Sequence, residues 1–93
     1  MPVVFDPQFQ MGLQYMQAGQ YARAEFALGH ALVRHPGNVL VLCALAECHY
    51  LGRSMHQAQA YVRHAQAALS ADAGLDEALY LSKMLRATGD NEA

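Results

Sequence analysis

Apolar residues recur every three or four positions along most of the chain, and alternation at every second position is almost absent. A spacing of three to four residues places apolar side chains on one face of an α-helix. Prolines stand only at positions 2, 7 and 36, so few positions interrupt the helical pattern. The pattern predicts an all-α chain of about five helices joined by short loops, with successive helices antiparallel, in a single domain over residues 1–93.

Local start and stop signals predict where these helices lie. Asp6 can accept a hydrogen bond from a free backbone N–H, and Pro7 is tolerated at the first helical position. The segment from Ser54 to Gln57 matches a capping box, which predicts another helix start. The predicted helices run from Pro7 to a stop at Gly19, from about Tyr21 to Arg34, from near Asn38 to Gly52, from Ser54 to about Leu69, and from about Leu75 to Thr88, with Gly89 as the final stop.

The chain also repeats itself at a spacing of 34 residues. The matching positions are Gly12, Tyr15, Ala24, Leu28 and Ala31, followed by Ala46, His49, Ala58, Val62 and Ala65. A helix–turn–helix unit of this length, with small residues where helices cross, is typical of the tetratricopeptide repeat, and the chain resembles that family. The first repeat covers 5–38, the second 39–72, and residues 75–89 form a capping helix or half repeat. Gln8 departs from the family pattern because Trp usually stands at its position.

Composition and charge exclude several function classes. Apolar residues make up 54% of the chain and charged residues 15%, with a net charge of -2. Such a chain lacks the basic surface that nucleic-acid binding requires. Its longest uninterrupted apolar run, Val39 to Ala46, is too short to insert across a membrane, and residues 1–6 do not resemble a signal peptide. We therefore expect a cytoplasmic protein.

The residue types that support catalysis or cofactor binding do not form a recognisable pattern. The five histidines show no spacing typical of a helical zinc site, and no glycine-rich phosphate loop is present. His49 replaces a packing Tyr of the repeat, so we expect a buried imidazole with one hydrogen bond. On a helix Cys43 and Cys48 would point roughly 140° apart, which argues against a mutual disulfide. We expect no metal, no cofactor and no enzymatic activity.

The resemblance implies a binding groove lined by the first helix of each repeat. The implied positions are Phe9, Leu13, Met16 and Gln17 on the first helix, Leu40, Cys43, Glu47, Tyr50 and Leu51 on the third, and Leu79, Lys83 and Arg86 on the fifth. This groove would be mostly apolar with one acid and a basic end, and would suit an extended apolar segment of a partner protein. In this interpretation Met11 and Tyr15 face the helix packing. Alternatively, Phe9, Leu13, Met16 and Leu51 simply pack between helices or under the N-terminal arm.

A narrower resemblance concerns the second repeat. Ala46-Glu47-Cys48, Gly52, Ala58 and Ala65-Gln66 are similar to a repeat of the class II chaperones of type III secretion. These small cytoplasmic proteins hold translocator subunits in a tetratricopeptide groove, and similarly built co-chaperones of the same export systems pair with needle or export components. The resemblance implies a chaperone or adaptor, acting as a homodimer or heterodimer. The alternatives are a generic tetratricopeptide adaptor and a structural protein that self-assembles without a client.

Overall fold

The computed structural model describes residues 2–70 and 74–89. Within them the chain forms five α-helices and no strand, which confirms the predicted fold class. A short 3₁₀ turn, Val3–Phe5, precedes the helices. The helices are α1 (Pro7–Gln17), α2 (Tyr21–Arg34), α3 (Val39–Leu51), α4 (Met55–Ala68) and α5 (Leu75–Thr88).

Side-chain caps fix two of the predicted helix starts. The Asp6 carboxylate accepts a hydrogen bond of 2.8 Å from the backbone N–H of Gln8, with Pro7 as the first residue of α1. The Asn38 side chain likewise accepts a hydrogen bond of 3.2 Å from the backbone N–H of Val41. Each cap satisfies a donor that the first turn of a helix leaves free, so these two starts are set locally.

The predicted start of α4 is correct, but its predicted capping box does not form. Ser54 makes no side-chain capping hydrogen bond, because its backbone (φ -105°, ψ 67°) lies outside the extended conformation that a capping residue adopts. A comparable contact occurs instead at α5, where the Glu77 carboxylate accepts a hydrogen bond of 2.7 Å from the backbone N–H of Gly74. The predicted capping box is therefore absent at the start of α4, and one of the two hydrogen bonds of such a box occurs at the start of α5.

The helices pack as two hairpins followed by a last helix. α1 packs on α2 and α3 on α4, while α2 also contacts α3, and α5 covers α3 and α4. Gly12 is the point of closest approach within the first hairpin, since a Cβ atom there would lie 2.5 Å from Cγ of Leu28. This agrees with the predicted crossing of small residues. Among the described residues, none of the helices has both the length and the apolar character needed to cross a bilayer.

α3 is the centre of the molecule. One buried cluster joins it to α1 and α2 and includes Leu28 and Leu45. A second cluster joins it to α4 and α5 and includes Val62 and Met84. Because neighbours cover α3 on most of its sides, it is apolar around nearly its whole circumference, as a central helix must be.

Candidate functional site

Three of the predicted groove residues lie inside the protein. Phe9 is 5% exposed, Met16 7% and Cys43 0%. Phe9 and Met16 share a buried cluster with Val3, because the N-terminal 3₁₀ turn packs against α1. Cys43 is covered from α5, in a cluster that contains Met84. The prediction that these three side chains line an accessible groove is therefore wrong, and the packing alternative is correct for Phe9 and Met16.

Both faces of α1 contribute to helix packing. Leu13 is half-buried and packs against the first core cluster, as does Leu40 at the start of α3. On the face that was predicted to pack, Tyr15 is half-buried against the same cluster, whereas Met11 is 40% exposed. The prediction for this face is therefore confirmed for Tyr15 and wrong for Met11.

Of the remaining predicted residues, Gln17 is exposed on α1 and six lie on α3 and α5. We call these six the α3–α5 face, which consists of Glu47, Tyr50, Leu51, Leu79, Lys83 and Arg86. Its apolar members are well exposed: Leu79 is 58% exposed, Leu51 40% and Tyr50 36%. Lys83 and Arg86 are exposed on α5, one turn apart. The described structure therefore retains an open apolar and basic surface on two of the three helices that the resemblance assigned to the groove.

Glu47 ties the two helices of this face together. Its carboxylate accepts hydrogen bonds from the Tyr80 hydroxyl and, at 3.1 Å, from Nζ of Lys83. Burial, followed by the hydrogen bond and the charge of Glu47, raises the pKa of Tyr80 above its ordinary value, so the phenol keeps its proton. Glu47 and Lys83 were predicted to act as separate charges toward a partner. They form an ion pair with each other instead, because α5 brings them together.

A second ionic cluster, which the sequence did not indicate, lies in the first hairpin, where the start of α1 meets the end of α2. Asp6 is completely buried, and its carboxylate lies 3.1 Å from Nε of Arg34 and 3.0 Å from Nε2 of His35. Burial alone would raise the pKa of Asp6, but hydrogen bonds from Gln8, Arg34 and His35 and the charge of Arg34 lower it overall. These contacts fasten the start of α1 to the end of α2, which is a structural role.

The comparison with protein families bears on the first half of the chain. Residues 5–48, a little under half of the sequence, match the tetratricopeptide repeat model. The first half of the chain is therefore similar to a tetratricopeptide repeat. The matched segment comprises α1, α2 and most of α3, so it covers the hairpin with the Gly12 crossing and the helix stacked on it. Neither a curated protein nor a solved structure shows significant similarity to the chain. Tetratricopeptide repeats generally mediate interactions between proteins, so this similarity suggests a protein–protein interaction module.

The residues with potential chemistry have packing roles in the repeat. His49 is 8% exposed and stacks on Tyr61 with ring centroids 5.5 Å apart, which confirms its predicted burial. Its Nε2 atom has no hydrogen-bond partner, although it lies 3.3 Å from a Glu25 carboxylate oxygen. Burial raises the pKa of the Cys43 thiol to about 12 and that of Cys48 to about 11. Among the described residues, no group of three His, Cys, Asp or Glu side chains could hold a metal ion.

Proposed function

We propose that the protein binds an apolar segment of a partner protein on the α3–α5 face, and that it does so in the cytoplasm as a small adaptor or chaperone rather than as an enzyme. The observation that carries this proposal is the exposure of Tyr50, Leu51 and Leu79 on neighbouring helices of a repeat architecture. α3 and α5 contact each other, and exposed apolar side chains on two contacting helices are candidates for an interaction site.

The geometry favours a preformed binding surface. The Glu47 carboxylate holds α5 to α3 through Tyr80 and Lys83, so the two helices that carry the apolar side chains are fixed relative to each other. A surface that is already ordered loses little conformational entropy when a partner binds. Apolar side chains of the partner would gain roughly 25 cal/mol for each Å² of apolar surface removed from water.

Charge suggests the kind of segment that fits. Lys83 and Arg86 lie on one edge of the face, and Glu47 is engaged by Lys83 and Tyr80. The face therefore presents more positive than negative charge to a partner. We expect an apolar segment with an acidic residue placed to meet Arg86, with the charge setting register rather than supplying most of the affinity.

A chaperone role in type III secretion is the more specific form of the proposal. It is supported by the similarity of Ala46-Glu47-Cys48, Gly52, Ala58 and Ala65-Gln66 to the class II chaperones. In that role the face would cover an apolar segment of an exported subunit and keep it from aggregating. The coarser proposal of an adaptor does not depend on this similarity.

The test compares wild type with the double variant Tyr50→Glu/Leu79→Glu. Both substitutions are at exposed positions, so circular dichroism should show unchanged helicity, whereas Leu13→Glu would disturb a half-buried contact. Met55→Glu provides a matched control, because Met55 is 42% exposed and lies on α4 rather than on α3 or α5. A partner captured from host lysate is identified, purified and titrated by calorimetry against all three proteins.

We expect the double variant to bind the purified partner at least about tenfold more weakly than wild type, while Met55→Glu binds normally. Equal affinities in all three would rule out the α3–α5 face as the site. If the capture recovers only copies of this chain, with the double variant as with wild type, structural self-assembly without a client becomes the better account.

A further inference from the structure

α2 carries a second exposed apolar surface, on the outside of the first hairpin. Val33 is 80% exposed and Phe26 71%, more than any apolar side chain of the α3–α5 face. Together with Ala22 and Gly29 they are spaced by four, three and four residues, which places all four on one stripe of the helix. We call this stripe the α2 outer face. It borders a cavity of about 450 Å³ that Glu25 and His30 also line.

Gly29 has no role in the packing of the single chain. A Cβ atom at this position would meet no atom within 4 Å, whereas one at Gly12 would collide with Leu28. Glycine is unfavourable in the interior of a helix, so a glycine without a close neighbour weakens α2 for no internal gain. Another surface that packs closely against α2 from outside the chain would explain why this position has no side chain.

The order of small and large residues along the stripe indicates what kind of surface packs against it. The stripe alternates small, large, small and large, and its reverse has the complementary order. When two copies of α2 meet antiparallel, Phe26 of each chain lies opposite Gly29 of the other. Val33 in the same way lies opposite Ala22. A two-fold symmetric contact requires such a self-complementary surface.

We propose that the α2 outer face binds a second copy of this chain, with the two α2 helices antiparallel. The four residues of the stripe carry no charge, and Glu25 lies at its edge. Pairing therefore places no charged side chain in the middle of the contact.

The area available for contact between the two chains determines how stable the dimer should be. A second cavity of about 450 Å³, lined in part by Met11 and Tyr15, shares Ala22 and Phe26 with the first and extends the apolar surface onto α1. One helix and part of another from each chain place the contact at the lower end of interface sizes, near or below about 1,200 Å² in total. The dimer should therefore dissociate reversibly on dilution.

Sedimentation of the purified full chain over a wide range of concentrations tests the proposal without any partner protein. We expect a monomer–dimer equilibrium in wild type and in the control Met55→Glu. Val33→Glu should raise the dissociation constant at least about tenfold. Tyr50→Glu/Leu79→Glu should dimerise normally, so the outcome is independent of the proposed partner site.

Gly29→Leu tests the contact between chains independently of the stability of the single chain. In the monomer a Cβ atom at this position meets no other atom within 4 Å, so the melting temperature at low concentration should not fall. It should nevertheless weaken the dimer at least about tenfold, because it fills the space that Phe26 of the other copy needs. The double variant Phe26→Ala/Gly29→Leu restores a large side chain opposite a small one and should recover dimerisation.

Three results would overturn the proposal. The first is a wild-type chain that stays monomeric at every concentration. The second is a dimer that Met55→Glu weakens as much as Val33→Glu does. The third is a tighter dimer in Gly29→Leu, because parallel helices would place the two leucines against each other rather than against Phe26.

Discussion

At the scale of single residues, Asp6 combines two functions in one buried carboxylate. It caps α1 through the N–H of Gln8 and pairs with Arg34 and His35, which lie 28 and 29 residues further along the chain. The cap follows from local sequence, since Asp before Pro is a typical helix start. The ion pairs depend on how α1 and α2 pack, so helix periodicity did not indicate them.

The charge of Asp6 should make stability depend on acid pH. Its pKa in the folded chain lies below the ordinary value of 3.8, so its contribution is complete above that value and is lost as the pH falls through the lower folded pKa. Asp6→Asn keeps a good capping residue but removes the charge. We expect urea to unfold this variant at a lower midpoint than wild type at neutral pH, and the difference to shrink in strong acid.

The exposed acid Asp76 provides the control for this titration. Asp76→Asn should change the urea midpoint much less than Asp6→Asn at neutral pH, since surface charges contribute little to stability. A difference between wild type and Asp6→Asn that stays constant from neutral to strongly acid pH would contradict the role assigned to the buried carboxylate.

Two glycines in helix interiors should respond oppositely to the same substitution. Gly12→Ala forces a Cβ atom to within 2.5 Å of Leu28 Cγ, so we expect the free energy of unfolding to fall by about 1–3 kcal/mol. Gly29→Ala meets no atom within 4 Å and improves helix propensity, so the free energy of unfolding should rise by about 1 kcal/mol. Urea titrations at low protein concentration measure both, and changes of the same sign would contradict the packing described here.

At the scale of elements, α3 organises the molecule because it contributes to both buried clusters. It contacts α5 through the apolar residues of the second cluster and through the hydrogen bond between Tyr80 and Glu47. Tyr80→Phe removes the buried hydroxyl that donates to Glu47, and we expect the free energy of unfolding to fall by about 1 kcal/mol. Lys83→Met should change it less, by well under 1 kcal/mol, because the lysine is exposed. Urea unfolding followed by circular dichroism should give this order, and the reverse order would show that the ion pair holds α5.

The two thiols of α3 should be unreactive in the folded protein. With pKa values of about 12 for Cys43 and about 11 for Cys48, very little thiolate exists near neutral pH, and both side chains are buried. We expect a thiol reagent to label the native chain slowly and to label both cysteines at once when urea unfolds it. Rapid labelling without denaturant would mean that α3 is more accessible than the structure indicates.

The sequence predicted the limits of the helices better than it predicted which of their faces are buried. The limits of α2 and α5 follow from local signals, and the structure reproduces them at Tyr21–Arg34 and Leu75–Thr88. Which face of a helix is covered depends on neighbours that periodicity does not identify. For Phe9 the sequence left open whether the side chain lines the groove or packs under the N-terminal arm, and the structure shows the second. Cys43 was expected to be accessible, but α5 lies over it. Glu47 and Lys83 were both assigned to the implied groove, but their ion pair emerged only from the structure.

At the scale of the whole molecule, a small helical array presents two separate apolar surfaces. The α3–α5 face carries Leu79 beside an ion pair, and the α2 outer face carries Phe26 and Val33 around Gly29. We assign a partner protein to the first and a second copy of the chain to the second. The two assignments are independent, so a variant at either face should leave the other contact intact.

The most direct test of the central claim places the photoreactive residue benzoylphenylalanine at position 79 in the native host and identifies what it captures by mass spectrometry. The same residue at position 55, on α4, serves as the control. We predict that position 79 links to an apolar segment of another protein, at a yield well above that of position 55. Adducts at position 79 that contain only this chain, or no more adduct than position 55 gives, would contradict the account of a partner-binding module.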